Sequence, residues 1–104
     1  MTLNLKIINN LPFVTMKVEY RDKEKSLDNV LIDTGSASSI LKAEFVYIKK
    51  IDSLSIGDLK VEDFKIDIGE MDYGFDIDAI IGMDFLQRTG AVIDLDKGTI
   101  GKEI

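Results

Sequence analysis

Apolar and polar positions alternate along most of this chain with a period of two, the spacing of strands with one buried face. Phe13, Thr15 and Lys17 alternate with Val14, Met16 and Val18, which makes one face apolar. The run from Arg21 to Ser26 is wholly polar and predicts a turn. Val30-Leu31-Ile32 predicts a short buried strand that runs into Asp33. Leu54, Ile56, Leu59 and Val61 flank Gly57-Asp58, a pair suited to a tight hairpin because glycine tolerates positive φ. Phe64, Ile66 and Ile68 alternate with Lys65 and Asp67 and predict another strand, and Ala79-Ile80-Ile81 predicts a second short buried one. Met83 to Arg88 has the composition of one or two helical turns ending near Gly90. Ala91 to Leu95 and Thr99-Ile100, joined by Asp96-Lys97-Gly98, read as a closing hairpin. Between Ser39 and Lys50 helix formers and β-branched residues point in opposite directions. Short strands separated by frequent turns predict an all-β fold, a small closed or half-open barrel with one short helix near residues 83–88.

The length of 104 residues fits one domain spanning 1–104. Only Pro12 and no Ser/Gly-rich tract interrupts the chain, so no linker or tandem repeat is expected. Hydrophobic residues make up 45% and charged residues 31%, enough apolar mass for a core. The formal net charge is −6, which argues against nucleic acid as a partner, since phosphates call for a basic face. No apolar run is long enough to span a membrane, and the start at Met1 lacks the basic-then-apolar pattern of a signal peptide. With no cysteine in the sequence, this fits a cytoplasmic location with no membrane partner.

Two absences narrow the chemistry. Without cysteine there are no thiol nucleophiles, Cys-zinc sites or iron–sulfur clusters. Without histidine there is no Ser-His-Asp triad and no imidazole proton shuttle. An enzyme with this composition draws its acids and bases from carboxylates. Residues 52–84 hold ten acidic and two basic side chains, read as solvated strand faces and turns. Asp72, Asp76 and Asp78 suggest a calcium loop, but Met83 occupies the place of the closing glutamate, so no metal and no cofactor is expected.

Two segments stand out. Val30-Leu31-Ile32-Asp33-Thr34-Gly35-Ser36 carries an ionisable residue straight out of an apolar strand. Asp-Thr-Gly alone is also an ordinary turn sequence. Here, however, the apolar approach draws Asp33 inward, where a carboxylate needs donors. Thr34, Ser36 and the backbone around Gly35 supply them. The second segment, Ala79-Ile80-Ile81-Gly82-Met83-Asp84-Phe85-Leu86, leads from a buried strand through glycine into the short helix.

Together, in this order and 49 residues apart from Asp33 to Gly82, the two segments resemble those of the retropepsin-like aspartic proteases, the single-domain, retroviral-type branch of the acid protease fold. The resemblance runs over roughly residues 12–100 and is closer to cellular and bacterial members. Viral enzymes often carry an Asp–Arg pair where Ala37 and Met83 stand. It implies a barrel of the retropepsin type and a homodimer, because one chain supplies one catalytic aspartate and the reaction takes two. The catalytic residue is then Asp33. Thr34 would bond across the two-fold axis, Gly35 would offer its carbonyl to the substrate backbone, and Ser36 would hydrogen-bond the outer carboxylate oxygen. Ile80, Ile81 and Gly82 would pack beneath the loop as structure. The pair would share one proton and activate a water against a peptide bond of a peptide or unfolded protein. The terminal segments Leu3–Ile8 and Thr99–Ile104 are apolar enough to pair across the dimer interface.

One feature points to a second reading. Family members place a glycine-tipped flap hairpin between the two motifs, but after Ser39 no glycine occurs before Gly57. Residues 41–52 are too short and glycine-poor for it. A reduced flap is therefore expected, with 41–52 or 70–78 covering the groove and Gly69 and Gly74 as hinges. The alternatives are a homodimeric aspartic endopeptidase, a catalytically weak or inactive peptide-binding dimerisation module of the same fold, and an unrelated barrel in which Asp33 sits in a turn.

Overall fold

The computed structural model describes residues 2–48, 51–71, 73–74 and 76–102. In chain order the strands are β1 (Leu3–Asn4), β2 (Lys6–Ile8), β3 (Leu11–Tyr20), β4 (Lys23–Ile32) and β5 (Ile40–Lys42). A 3-10 turn (Ala43–Phe45) follows, then β6 (Ser53–Ile56), β7 (Leu59–Glu62), β8 (Asp67–Gly69) and β9 (Ala79–Ile81). Helix α1 (Met83–Thr89) and strands β10 (Val92–Asp94) and β11 (Thr99–Gly101) complete the described chain.

The larger sheet runs β7-β6-β3-β4-β9-β5-β8, with β2 paired to β3, and curls into a half-barrel. Its frame is the β3–β4 hairpin. The turn is tighter than the polar run predicts: only Arg21 and Asp22 leave the strands, at φ 48° and 60°, and Lys23 to Ser26 already pair with β3. The reason lies in tertiary contacts that polarity cannot reveal. The Lys25 ammonium sits 5.5 Å from the centre of the Phe45 ring, which gives a charged strand residue an apolar partner. The predicted hairpin at Gly57-Asp58 forms between β6 and β7, with Gly57 at φ 59°.

The expected strand over Phe64, Ile66 and Ile68 shortens to Asp67–Gly69, and Ile68 is 40% exposed while Phe64 is buried. Asp63 at φ 52° breaks the extension after β7, and Phe64 turns inward to meet Phe85 edge-on at 5.9 Å. The ambiguous stretch from Ser39 resolves into β5 and the 3-10 turn, with Lys49 and Lys50 outside the described residues.

The terminal segments pair within the chain. β1 lies against β11, which lies against β10, to make a three-stranded sheet. Glu103 and Ile104 lie outside the described residues. Among the described residues no helix is long and apolar enough to cross a membrane.

Among the described residues two apolar clusters form the core. The main one joins the concave face of the sheet to α1 through Met16, Val18, Val30, Leu54, Ile81 and Phe85. A small second cluster of Phe13, Leu31, Ile77 and Ile80 covers the opposite face of β3, β4 and β9. These central strands are therefore buried on both faces where they approach Asp33. That explains why Val30-Leu31-Ile32 and Ala79-Ile80-Ile81 read as continuous apolar runs.

Candidate functional site

β4 and β9 run parallel, with Leu31 opposite Ile80 and Ile32 opposite Ile81. The Asp33 amide extends that ladder by donating to the Ile81 carbonyl at 2.9 Å. Asp33 is thus delivered by a rigid, doubly covered pair of strands to the rim of the sheet. There it is half-buried, between the buried Ile32 and the exposed Thr34 and Gly35.

The carboxylate's partner is backbone. The Gly35 amide donates to Asp33 Oδ1 at 2.9 Å, and the Ser36 amide donates to the Asp33 carbonyl at 3.1 Å. The Ser36 hydroxyl, expected on the carboxylate, instead donates to the Ser38 carbonyl at 2.8 Å. A Cβ on Gly35 would stand 3.2 Å from Asp33 Oδ1, so glycine allows the loop to curl tightly round its own carboxylate.

The second motif supports this loop from behind. Gly82 is buried, and a Cβ there would lie 2.5 Å from the Ser36 carbonyl oxygen and 2.9 Å from that of Ser38. Only a residue without a side chain lets the two backbones come this close. The Met83 amide then donates to the Ser36 carbonyl at 2.7 Å, and the Asp84 amide to the Ala37 carbonyl at 3.2 Å. Ile80 and Ile81 are buried on opposite faces of β9, in the second and main clusters respectively.

Sequence reasoning did not single out Ser39 and Asp84. Ser39 is 1% exposed. Its hydroxyl donates to Asp84 Oδ1 at 2.6 Å and accepts from the Gly82 amide at 3.0 Å, and its amide donates to Asp84 Oδ2 at 3.0 Å. A polar side chain directly before the apolar β5 and an acid two places after Gly82 were the only signals in the sequence, and 45 residues separate them.

Beside Thr34 lies a cavity of about 290 Å³ lined by Met83, Leu86, Gln87, Ala91 and Ile93. A larger cavity of about 590 Å³, between Val46, Ile51, Phe64 and Ile68, contains none of the predicted site residues and stands apart from the Asp33 loop. Of the acidic residues weighed for a calcium loop, Asp76 meets Lys42 at 3.2 Å and Asp78 accepts from the Asn29 amide at 3.2 Å. Asp72 lies outside the described residues.

No protein-family model and no curated protein sequence matches the chain. Solved structures do. A retropepsin-like aspartic protease from Rickettsia conorii superposes with a TM-score of 0.63 at 17% identity, covering 96% of this chain and 88% of its own. The retroviral protease-like domain of Ddi1 from Leishmania major superposes with a TM-score of 0.51 at 18% identity, covering 85% and 90%. At such identities the likeness is one of architecture: the chain has the retropepsin-like fold.

Proposed function

We propose that the protein is an aspartic endopeptidase that works as a homodimer, with Asp33 of each subunit as the catalytic carboxylate. The observation that carries this reading is the setting of Asp33. A carboxylate emerges from two buried parallel strands, takes a hydrogen bond from the Gly35 amide, and stays half-exposed on a loop braced by Gly82. A turn aspartate needs no such support. The names of the structural neighbours, both protease or protease-like, point the same way.

One chain brings one such carboxylate, and a two-fold axis beside Thr34 brings the second. The cavity next to Thr34 then lies on the surface that the second copy covers. With one proton between them, the ionised Asp33 takes a proton from a bound water as the water oxygen attacks the scissile carbonyl carbon. The protonated Asp33 donates to the carbonyl oxygen. Thr34 holds the two loops together across the axis. Gly35 presents its carbonyl to the substrate backbone, an extended peptide or unfolded chain.

The test is cleavage of a denatured-protein mixture by wild type and Asp33→Asn, with sedimentation of both. The amide can be neither base nor proton carrier. General acid–base catalysis contributes about 10²–10⁴-fold, so cleavage is expected to fall by at least about 10²-fold while the dimer persists. Equal cleavage by the two proteins, or an active wild-type monomer, rejects the assignment.

A second reading has its own observation. Among the described residues between β5 and β6 the regular structure is the 3-10 turn, and they form no hairpin. A groove without that cover holds a peptide less well aligned, which favours a binding module of the same fold. A peptide that binds the dimer tightly and survives prolonged incubation uncut decides for this second reading.

A further inference from the structure

We infer that Ser39 and Asp84 are positioning residues that hold the Asp33 loop in its working conformation; the inference rests on the peptidase reading above. The first amides of a helix have no carbonyl within the helix to donate to, and in most helices water or a capping side chain serves them. The residue before α1 is Gly82, which has no side chain to cap with. All four amides from Gly82 to Phe85 nonetheless have partners. Gly82 donates to Ser39 Oγ, Met83 to the Ser36 carbonyl, Asp84 to the Ala37 carbonyl and Phe85 to Asp84 Oδ1. The loop that bears Asp33 is the cap of the helix, and the helix is the anchor of the loop.

Within this exchange the polarity of the Ser39–Asp84 contact is fixed. The Ser39 hydroxyl accepts from Gly82, so its own hydrogen is free for Asp84 Oδ1. The Ser39 amide takes Oδ2, and the Phe85 amide returns to Oδ1. Three donors converge on one carboxylate, an arrangement that requires two acceptor oxygens. The near end of the loop is fixed by the strand ladder at Asp33 and the far end by this carboxylate at Ser39, with only Thr34 to Ser38 between them. Loss of Asp84 removes two of the bonds that hold Ser39 and leaves the far end with the Gly82 amide on Ser39 Oγ and the backbone bonds. A reacting group displaced by about 1 Å costs on the order of 100-fold in rate.

The experiment compares Asp84→Ala, Asp84→Asn and Ser39→Thr with wild type, each as the full chain. It reads kcat and KM on a cleaved peptide, together with hydrogen exchange of the Ser36, Ser39 and Met83 amides. Asp84→Ala is expected to lower kcat by on the order of 100-fold with KM little changed. It should also speed exchange at those amides while the β3–β4 hairpin stays protected. Asp84→Asn keeps the shape but has one acceptor oxygen, so its kcat should lie between the two. Ser39→Thr keeps the hydroxyl and should retain more of the wild-type kcat than Asp84→Ala. If Asp84→Ala does not fold, Asp84→Asn decides. A wild-type kcat in the decisive variant, or a loss confined to KM, overturns the inference. If the wild-type chain cuts nothing, the peptidase reading fails, and exchange alone judges the pair. Faster exchange at Ser36 and Ser39 then supports its hold on the loop, and unchanged exchange removes it.

Discussion

β4 and β9 lie side by side in parallel register, each ending in three apolar residues, and the chain does opposite things after them. After Ile32 it opens into a loop that leaves Thr34 and Gly35 exposed and presents a carboxylate. After Ile81 it passes through a buried glycine straight into α1 and presents nothing. The two arms share one core and one ladder, yet only the first offers chemistry. The silent arm gives the other its definition. It supplies a surface without a Cβ against which the Asp33 loop rests, and donors that fix the loop's carbonyls. A carboxylate on a free turn would sample many positions; here a second strand and a helix restrict it.

The comparison can be tested, starting with the largest effects on stability. Ile32→Ala and Ile81→Ala remove facing side chains from the same core, where these residues are 4% and 0% exposed. Each is expected to cost about 2–5 kcal/mol in urea unfolding, with Ile81 at the upper end. An inexpensive Ile81→Ala would mean that the second arm is not part of the support.

The two glycines sharpen the contrast at smaller cost. Gly82→Ala drives a Cβ to 2.5 Å from the Ser36 carbonyl oxygen, and backbone must move. The expected destabilisation is about 1–3 kcal/mol, the range for overpacking, with loss of cleavage because the loop is displaced. In Gly35→Ala the new Cβ meets only Asp33 Oδ1, at 3.2 Å, so unfolding should change by less than about 1 kcal/mol, within the range of mild substitutions. Cleavage should still fall, since the crowded atom is the carboxylate itself. Equal unfolding penalties for the two alanine variants would erase the distinction between the arms.

The smallest effect is expected at the end of the β3–β4 hairpin away from the Asp33 loop, and serves as the control. Glu19, beside β6, is held below the usual glutamate range first by a hydrogen bond from the Ser53 hydroxyl and then by the Lys60 charge. A carboxylate lowered in the folded state adds stability above its unfolded value, and this is lost as pH falls through the folded value. Relative to Glu19→Gln, wild type should therefore lose a small increment of stability on acidification, seen as a shift in urea midpoint. Cleavage at a fixed pH should be the same in both. A Glu19→Gln variant that cuts more slowly would show that the Asp33 loop senses more of the sheet than its two arms.

The fold was readable in the sequence where local chemistry decides it. Period-two alternation marks β3, Gly57 marks the β6–β7 turn, and Gly90 at φ 67° ends α1 with its amide on the Leu86 and Gln87 carbonyls. The predicted helix near 83–88 differs from the observed Met83–Thr89 by one residue. Asp33 and Gly82 stood out because apolar runs lead into them. Less legible were the places where distant segments compete for a residue. Lys23 to Ser26 are polar enough for a turn, yet they pair with β3 because a ladder and the Phe45 ring receive them.

By itself, the sequence determined that this is a strand-rich chain with two apolar runs, one ending in a carboxylate and the other in a glycine, and no histidine or cysteine. Those properties depend on residue type and near neighbours. Only the tertiary structure decided that the two runs lie parallel and in register. Only there does the Gly35 amide, rather than the Ser36 hydroxyl, serve Asp33, and only there do Ser39 and Asp84 meet across 45 residues. A hydrogen bond between such distant positions leaves no periodic trace along the chain. It exists because burial of the two arms on a common core brings their ends within bonding distance.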